Sequence, residues 1–136
     1  NVSSTITCDS SLGCSFYIKD AGGGGNPGLW NSTYSILIES PDINFNSTAV
    51  LAAGTEGYGV QATTTATGSG GTLGVASRYN QIGNTVGGLT ISTLTIASST
   101  SAATSREIMT TYKAAVSSTT SMGNYSDTIT YSCLSN

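Results

Sequence analysis

The sequence predicts an all-β protein, an antiparallel sandwich of about nine short strands in a single domain, residues 1–136. Three observations predict it. Apolar residues alternate with polar ones in many short segments, the period of a half-buried strand. Thr, Val, Ile and Tyr are frequent while good helix formers are sparse, a composition that fits pleated surfaces better than helices. Turn residues punctuate the chain roughly every 8–12 positions, the spacing of a sandwich.

The elements follow in order. Val2, Ile6 and Cys8 share one face of a first strand, 2–8, and Cys14, Phe16 and Ile18 one face of a second, 14–20. Four consecutive glycines and Asn26-Pro27-Gly28 make 21–29 a long turn. Tyr34, Ile36 and Ile38 define a third strand, 34–39, ended by a Pro41-Asp42 turn. A short apolar strand, 49–53, precedes 58–65, where Tyr58, Val60 and Ala62 alternate with Gly59, Gln61 and Thr63. The glycines of 68–71 form a flexible tip. Strands at 72–79, 89–97 and 107–116 follow. The last, 125–133, places Tyr125, Asp127, Ile129, Tyr131 and Cys133 on its inner face.

Composition excludes several chemistries. Charged residues are only 8% of the chain, against about 25% in ordinary domains. Ser and Thr number 22 each, so hydroxyls rather than ions wet the outer faces. Without a single His there is no Ser-His-Asp triad, Cys-His dyad or imidazole ligand. Four scattered cations, Lys19, Arg78, Arg106 and Lys113, cannot neutralise a run of phosphates, so nucleic acid is not an expected partner. No stretch reaches the roughly 18 apolar residues of a membrane span. The start, Asn1-Val2-Ser3-Ser4, has neither a basic nor an apolar region, so the expectation is a mature or trimmed secreted product.

Three cysteines, Cys8, Cys14 and Cys133, all fall on inward parity. Cys8 and Cys14 flank a five-residue loop, and opposite positions on one face of a hairpin meet the disulfide distance. Cys8–Cys133 is the rival pairing if first and last strands are neighbours, and three buried thiols are the third reading. The cysteine left over is a free or intermolecular thiol. Sequons stand at Asn1, Asn31, Asn46 and Asn124. The turn positions leave Asn31, Asn46 and Asn124 open to glycosylation, although so Ser/Thr-rich a chain generates sequons by chance.

No catalytic set can be assembled, and the expectation is not an enzyme, with no cofactor. Glu39 and Asp42 flank a turn and face water; Asp127 faces inward and takes a backbone group or hydroxyl as partner. Asp20 and Glu39 supply oxygens for calcium only without the spaced loop such a site needs, so no metal is assigned. The glycine run has no Lys-Ser/Thr after it and is a turn, not a phosphate loop. Trp30 either plugs the core or stacks on a sugar.

Gly123-Asn124-Tyr125-Ser126-Asp127-Thr128-Ile129-Thr130-Tyr131 is similar to the G-x-Y-x-D-x-I-x-V/Y closing strand of spore coat protein U-like and related pilus domains. Segments 20–33 and 51–62 resemble small secreted surface proteins of Candidate Phyla Radiation bacteria. The resemblance implies an Ig-like sandwich of about seven to nine strands at the cell surface, and no catalytic residues. Such relatives carry further strand sequence ahead of the position of Val2. A sandwich lacking that strand is expected to expose a groove that another subunit fills by strand addition.

The leading expectation is therefore a structural subunit of an extracellular filament, pilus-like fibre or surface layer, its partners identical subunits. Residues 1–8 are the exchanged or edge strand, with Val2, Ser4 and Ile6 as its assembly positions. The alternative is a carbohydrate-binding adhesin presenting Trp30, Tyr34, Tyr58 and Tyr79 to surface glycans.

Overall fold

The computed structural model describes residues 1–40 and 48–136, so the expected Pro41-Asp42 turn and the Asn46 sequon lie outside the described residues. The described residues contain twelve strands and no helix. Alternation explains the two clearest ones, β2 (Cys14–Asp20) throughout and β1 (Val2–Cys8) from Ser4 onward, the expected inward Val2 being exposed. In β2, Cys14, Phe16, Ile18 and Asp20 are buried and the residues between them are not.

Two antiparallel sheets face one another. The first runs β1, β11 (Ala103–Ala115), β6 (Gly57–Thr64), β9 (Thr85–Gly87), β5 (Thr48–Val50), with β7 (Ser69–Gly70) also paired to β11. The second runs β12 (Ile129–Ser135), β2, β10 (Leu94–Ser98), β8 (Gly74–Val75). A separate hairpin is made by β3 (Gly28–Asn31) and β4 (Ile36–Glu39). The core between them holds Ile6, Phe16, Ile18, Val60, Ile96 and Ile108. No helix among the described residues is long and apolar enough to cross a membrane.

The strand count exceeds nine because pieces of two or three residues carry no periodicity. The expected strand 72–79 shrinks to β8, because the chain turns at Ala76, whose carbonyl accepts from Tyr79 N–H at 2.9 Å and Asn80 N–H at 3.0 Å. The expected strand 89–97 begins only at Leu94, after a bend closed by the Thr90 hydroxyl donating to Ser92 O at 2.7 Å. The expected flexible tip at 68–71 is pinned. Arg106 donates to Gly71 O at 2.9 Å, Gly70 O at 2.7 Å and Thr67 O at 3.1 Å.

β6 departs from simple alternation. Tyr58 through Ala62 are all buried, because the segment around β9 covers its outer face. There the Gln61 amide donates to Gly83 O at 2.9 Å and Thr85 O at 2.5 Å. Gly59 permits this approach: a Cβ built on it would stand 2.5 Å from Val86 and 2.7 Å from Gly87 O.

The glycine run makes a tight hairpin. Gly23 and Asn26 exchange backbone hydrogen bonds of 2.9 and 3.1 Å around Gly24 and Gly25, whose φ values are +61° and +86°. Two consecutive positive φ angles are the signature of a primed turn and favour glycine at both positions. Trp30 lies on this turn, for a Cβ on Gly23 would sit 2.2 Å from its indole.

Candidate functional site: the assembly edges and a buried acid pair

Two seven-residue strands, β1 and β12, end the two main sheets. Both edges lie on one flank, because the Thr110 hydroxyl reaches both: it donates to Val2 O at 3.2 Å and meets the Tyr131 hydroxyl at 2.7 Å. Neither strand contains a charged residue. Val2 (43% exposed) and Leu134 (60%) add apolar surface to this flank.

The predicted assembly positions occupy their own chain's edge. Val2 pairs with Thr110, Ser4 with Ile108 and Ile6 with Arg106. Ile6 is inserted in the core at 3% exposure, whereas Val2 is not. A bulge follows Ile6, where the register shifts so that Cys8 pairs with Ala103. There Ser105 takes φ +52° and donates its N–H to the Thr7 hydroxyl at 3.0 Å. Outside, the Glu107 carboxylate accepts from the hydroxyls of Ser3 and Thr65. These bonds, Ser3 first, hold its pKa below the usual value.

Cys8 and Cys14 form a disulfide with a Cα separation of 6.3 Å, but not as hairpin neighbours. β1 and β2 belong to different sheets, so the bond ties the sheets together across one end. Cys133 is free and exposed. This corrects the buried position that parity implied. It sits opposite Phe16 on the inner face, but β12 is the last strand of its sheet and leaves the thiol open. Partial burial still pushes the thiol pKa up, so it stays protonated and poorly nucleophilic at neutral pH.

Inside the same flank lies a polar cluster. Asp20 ends β2 and is fully buried; the Gly22 and Gly28 amides lie near its carboxyl, but no donor is well aligned with either oxygen. Asp127, two residues before β12, accepts from the Tyr58 hydroxyl at 3.2 Å through Oδ2, while its Oδ1 is buried and unpartnered. Burial, and then the facing Asp127 carboxyl, push the Asp20 pKa up to about 7; the backbone amides of Gly22 and Gly28 oppose the rise. Burial, followed by the Asp127 charge, drives the Tyr58 phenol upward, so it remains a donor. Next to it the Tyr131 hydroxyl bonds that of Tyr112, whose phenol is pushed up by burial and by this bond. Chemically, the cluster can hold a proton away from water.

Asp127 thus takes a hydroxyl partner, as its parity suggested, but its second neighbour, Asp20, was missed. No group of three or more His, Cys, Asp or Glu comes together among the described residues. Asp20 and Glu39, the calcium candidates, are respectively buried and exposed.

Two further expectations are corrected. Asn31 is fully buried, with Oδ1 accepting from the N–H groups of Thr33 and Tyr34 and its Nδ2 enclosed. A glycan cannot be built on that nitrogen in this fold, whereas Asn124 is exposed. The aromatic platform also dissolves. Tyr58 and Tyr79 are core residues at 5% and 1% exposure, Trp30 is half-buried on the glycine turn, and Tyr34 alone of the four is well exposed.

The fold defines the class as an all-β, antiparallel protein stapled by one disulfide. Compared with family models, curated proteins and solved structures, the chain matches none.

Proposed function

We propose that this chain is a structural subunit of an extracellular filament or cell-surface layer whose identical copies join by β-strand addition. The observation that carries the reading is the pair of seven-residue, charge-free edge strands on one flank. Soluble proteins usually blunt such edges with Lys, Pro or inward charges, because unpaired backbone recruits other strands. Neither edge carries a charge or a proline along its strand, and the one irregularity, the bulge after Ile6, lies at the disulfide end of β1. The hydroxyl-rich surface supports the same reading, since it lacks the charge repulsion that keeps copies apart. The disulfide suits an oxidising, extracellular compartment. The likeness of the closing strand to pilus domains points the same way.

The test is mass measurement by light scattering over a wide concentration range, with electron micrographs of the same samples. Growing oligomers or fibres support the reading. A monomer that persists at the highest concentration, with featureless micrographs, ends it.

A further inference from the structure

Asp20 and Asp127 stand at one end of the ladder between β2 and β12. Asp20 is the Cα partner of Ile129, the first residue of β12. Asp127 precedes that residue by two, on the same inward parity. The groups facing the pair are the Tyr58 phenol of β6 and the amides of Gly22 and Gly28, with the Tyr112 and Tyr131 phenols beyond Tyr58. Each phenol is neutral, so none of them compensates a second negative charge.

Three carboxyl oxygens here are buried without a well-aligned donor. Two ionised carboxylates in such a place repel one another and lack solvation, whereas one proton between them removes the repulsion and gives the remaining charge a hydrogen-bond donor. We propose that Asp20 and Asp127 share a single proton, and that this proton latches the leading end of β12 against β2.

The two sides of the latch differ in freedom. Asp20 lies in a strand with neighbours on both sides, and its N–H donates to Thr90 O at 3.0 Å. Asp127 lies in an irregular segment at the flank, between exposed Ser126 and Thr128. That segment is held by the Trp30–Ser126 backbone pair and by Ala21 N–H on Thr128 O. When the proton leaves, residues 125–130 are the part that moves outward. Movement uncovers the backbone at Lys19 of β2 and at Ala21 just beyond it, which Thr130 and Thr128 had covered. The consequence for assembly rests on the reading above: loss of the proton opens an acceptor edge for a strand of another copy.

The experiment follows the side-chain carboxyl resonances of aspartate by NMR across the range of about pH 3 to pH 8, with amide protection of Thr130 and Ser132, which pair with Lys19 and Tyr17 on the hydrogen-bonded side of β2, measured on the same samples. In the wild type, one carboxyl of the pair titrates near neutrality. Protection of Thr130 and Ser132 falls by roughly tenfold more than intrinsic exchange chemistry accounts for. Asp20→Asn, which mimics the protonated acid, keeps protection flat. The latch is refuted if both carboxyls titrate in the ordinary carboxylate range, or if Asp20→Asn retains the wild-type pH dependence. Should Asp20→Asn fail to fold, the wild-type titration and Asp127→Asn decide. If no assembly occurs at any pH, the filament reading fails by itself, and the latch is still judged by titration and protection.

Discussion

Tyr131 lies parallel to Phe16, its cross-strand diagonal neighbour, with ring centroids 5.3 Å apart and planes inclined by 3°. Its hydroxyl reaches past this stack to Thr110 and Tyr112 of the opposite sheet. One side chain therefore fastens the edge strand β12 both sideways and across the sandwich. Tyr131→Phe keeps the stack and deletes the hydroxyl bonds. It should lower stability by about 1–2 kcal/mol, read from denaturant midpoints with an unchanged slope. An unchanged midpoint would show that the hydroxyl bridge contributes nothing.

The pH dependence has a definite sign. Asp20 has a folded pKa raised to about 7 from an ordinary 3.8, so the folded state binds more protons than the unfolded chain between those values. Its contribution to stability is complete below about pH 4 and is lost as pH rises through 7. The thermal midpoint should fall by several degrees over that window, and Asp20→Asn should flatten the curve. A midpoint that rises over the window, in the wild type and not in Asp20→Asn, would contradict the assignment.

Gly59→Ala forces a Cβ to within 2.5 Å of Val86 and 2.7 Å of Gly87 O. The backbone of β9 must shift, and overpacking of this kind costs about 1–3 kcal/mol. Calorimetry on the purified variant would show the drop.

Gly23→Ala drives a methyl into the indole of Trp30. Since Trp30 is the sole tryptophan, its emission reports the displacement directly. A red shift is expected, together with a loss of stability. An emission spectrum identical to the wild type would mean that the indole does not rest on this turn.

Replacing both Cys8 and Cys14 by Ser removes the link between the sheets and should cost about 2–3 kcal/mol for so short a loop. Cys133 should be alkylated slowly at neutral pH despite its exposure, because its thiol is pushed above the usual range. Timed labelling with iodoacetamide, against a free cysteine peptide, measures the difference.

Legibility in the sequence tracks the range of the interaction. The bounds of β1 and β2 were readable because side chains alternate between core and solvent along β2 and along β1 from Ser4 to Cys8. β9 was not, because three residues have no period and Thr85–Gly87 is fixed only by its neighbours β5 and β6. Gln61 reads as an outward polar residue, and its burial depends on a segment more than twenty positions away. The acid pair left a signal that went unread. Asp20 continues the inward series of Cys14, Phe16 and Ile18, and Asp127 begins that of Ile129 and Tyr131. Joining the two required knowing that β2 and β12 are neighbours. The sequon at Asn31 carries no information about burial, so its side chain's role in closing a turn was invisible.

The Cys8–Cys14 bond has a mechanical consequence. Tension applied at the amino terminus would ordinarily peel β1 from β11 one backbone bond at a time. With the covalent link in place, peeling stops at residue 8, and the pull passes directly into β2, a strand flanked on both sides within its sheet. The stretch from Val2 to Thr7 can then be stripped from β11 while Cys8 stays anchored to the second sheet.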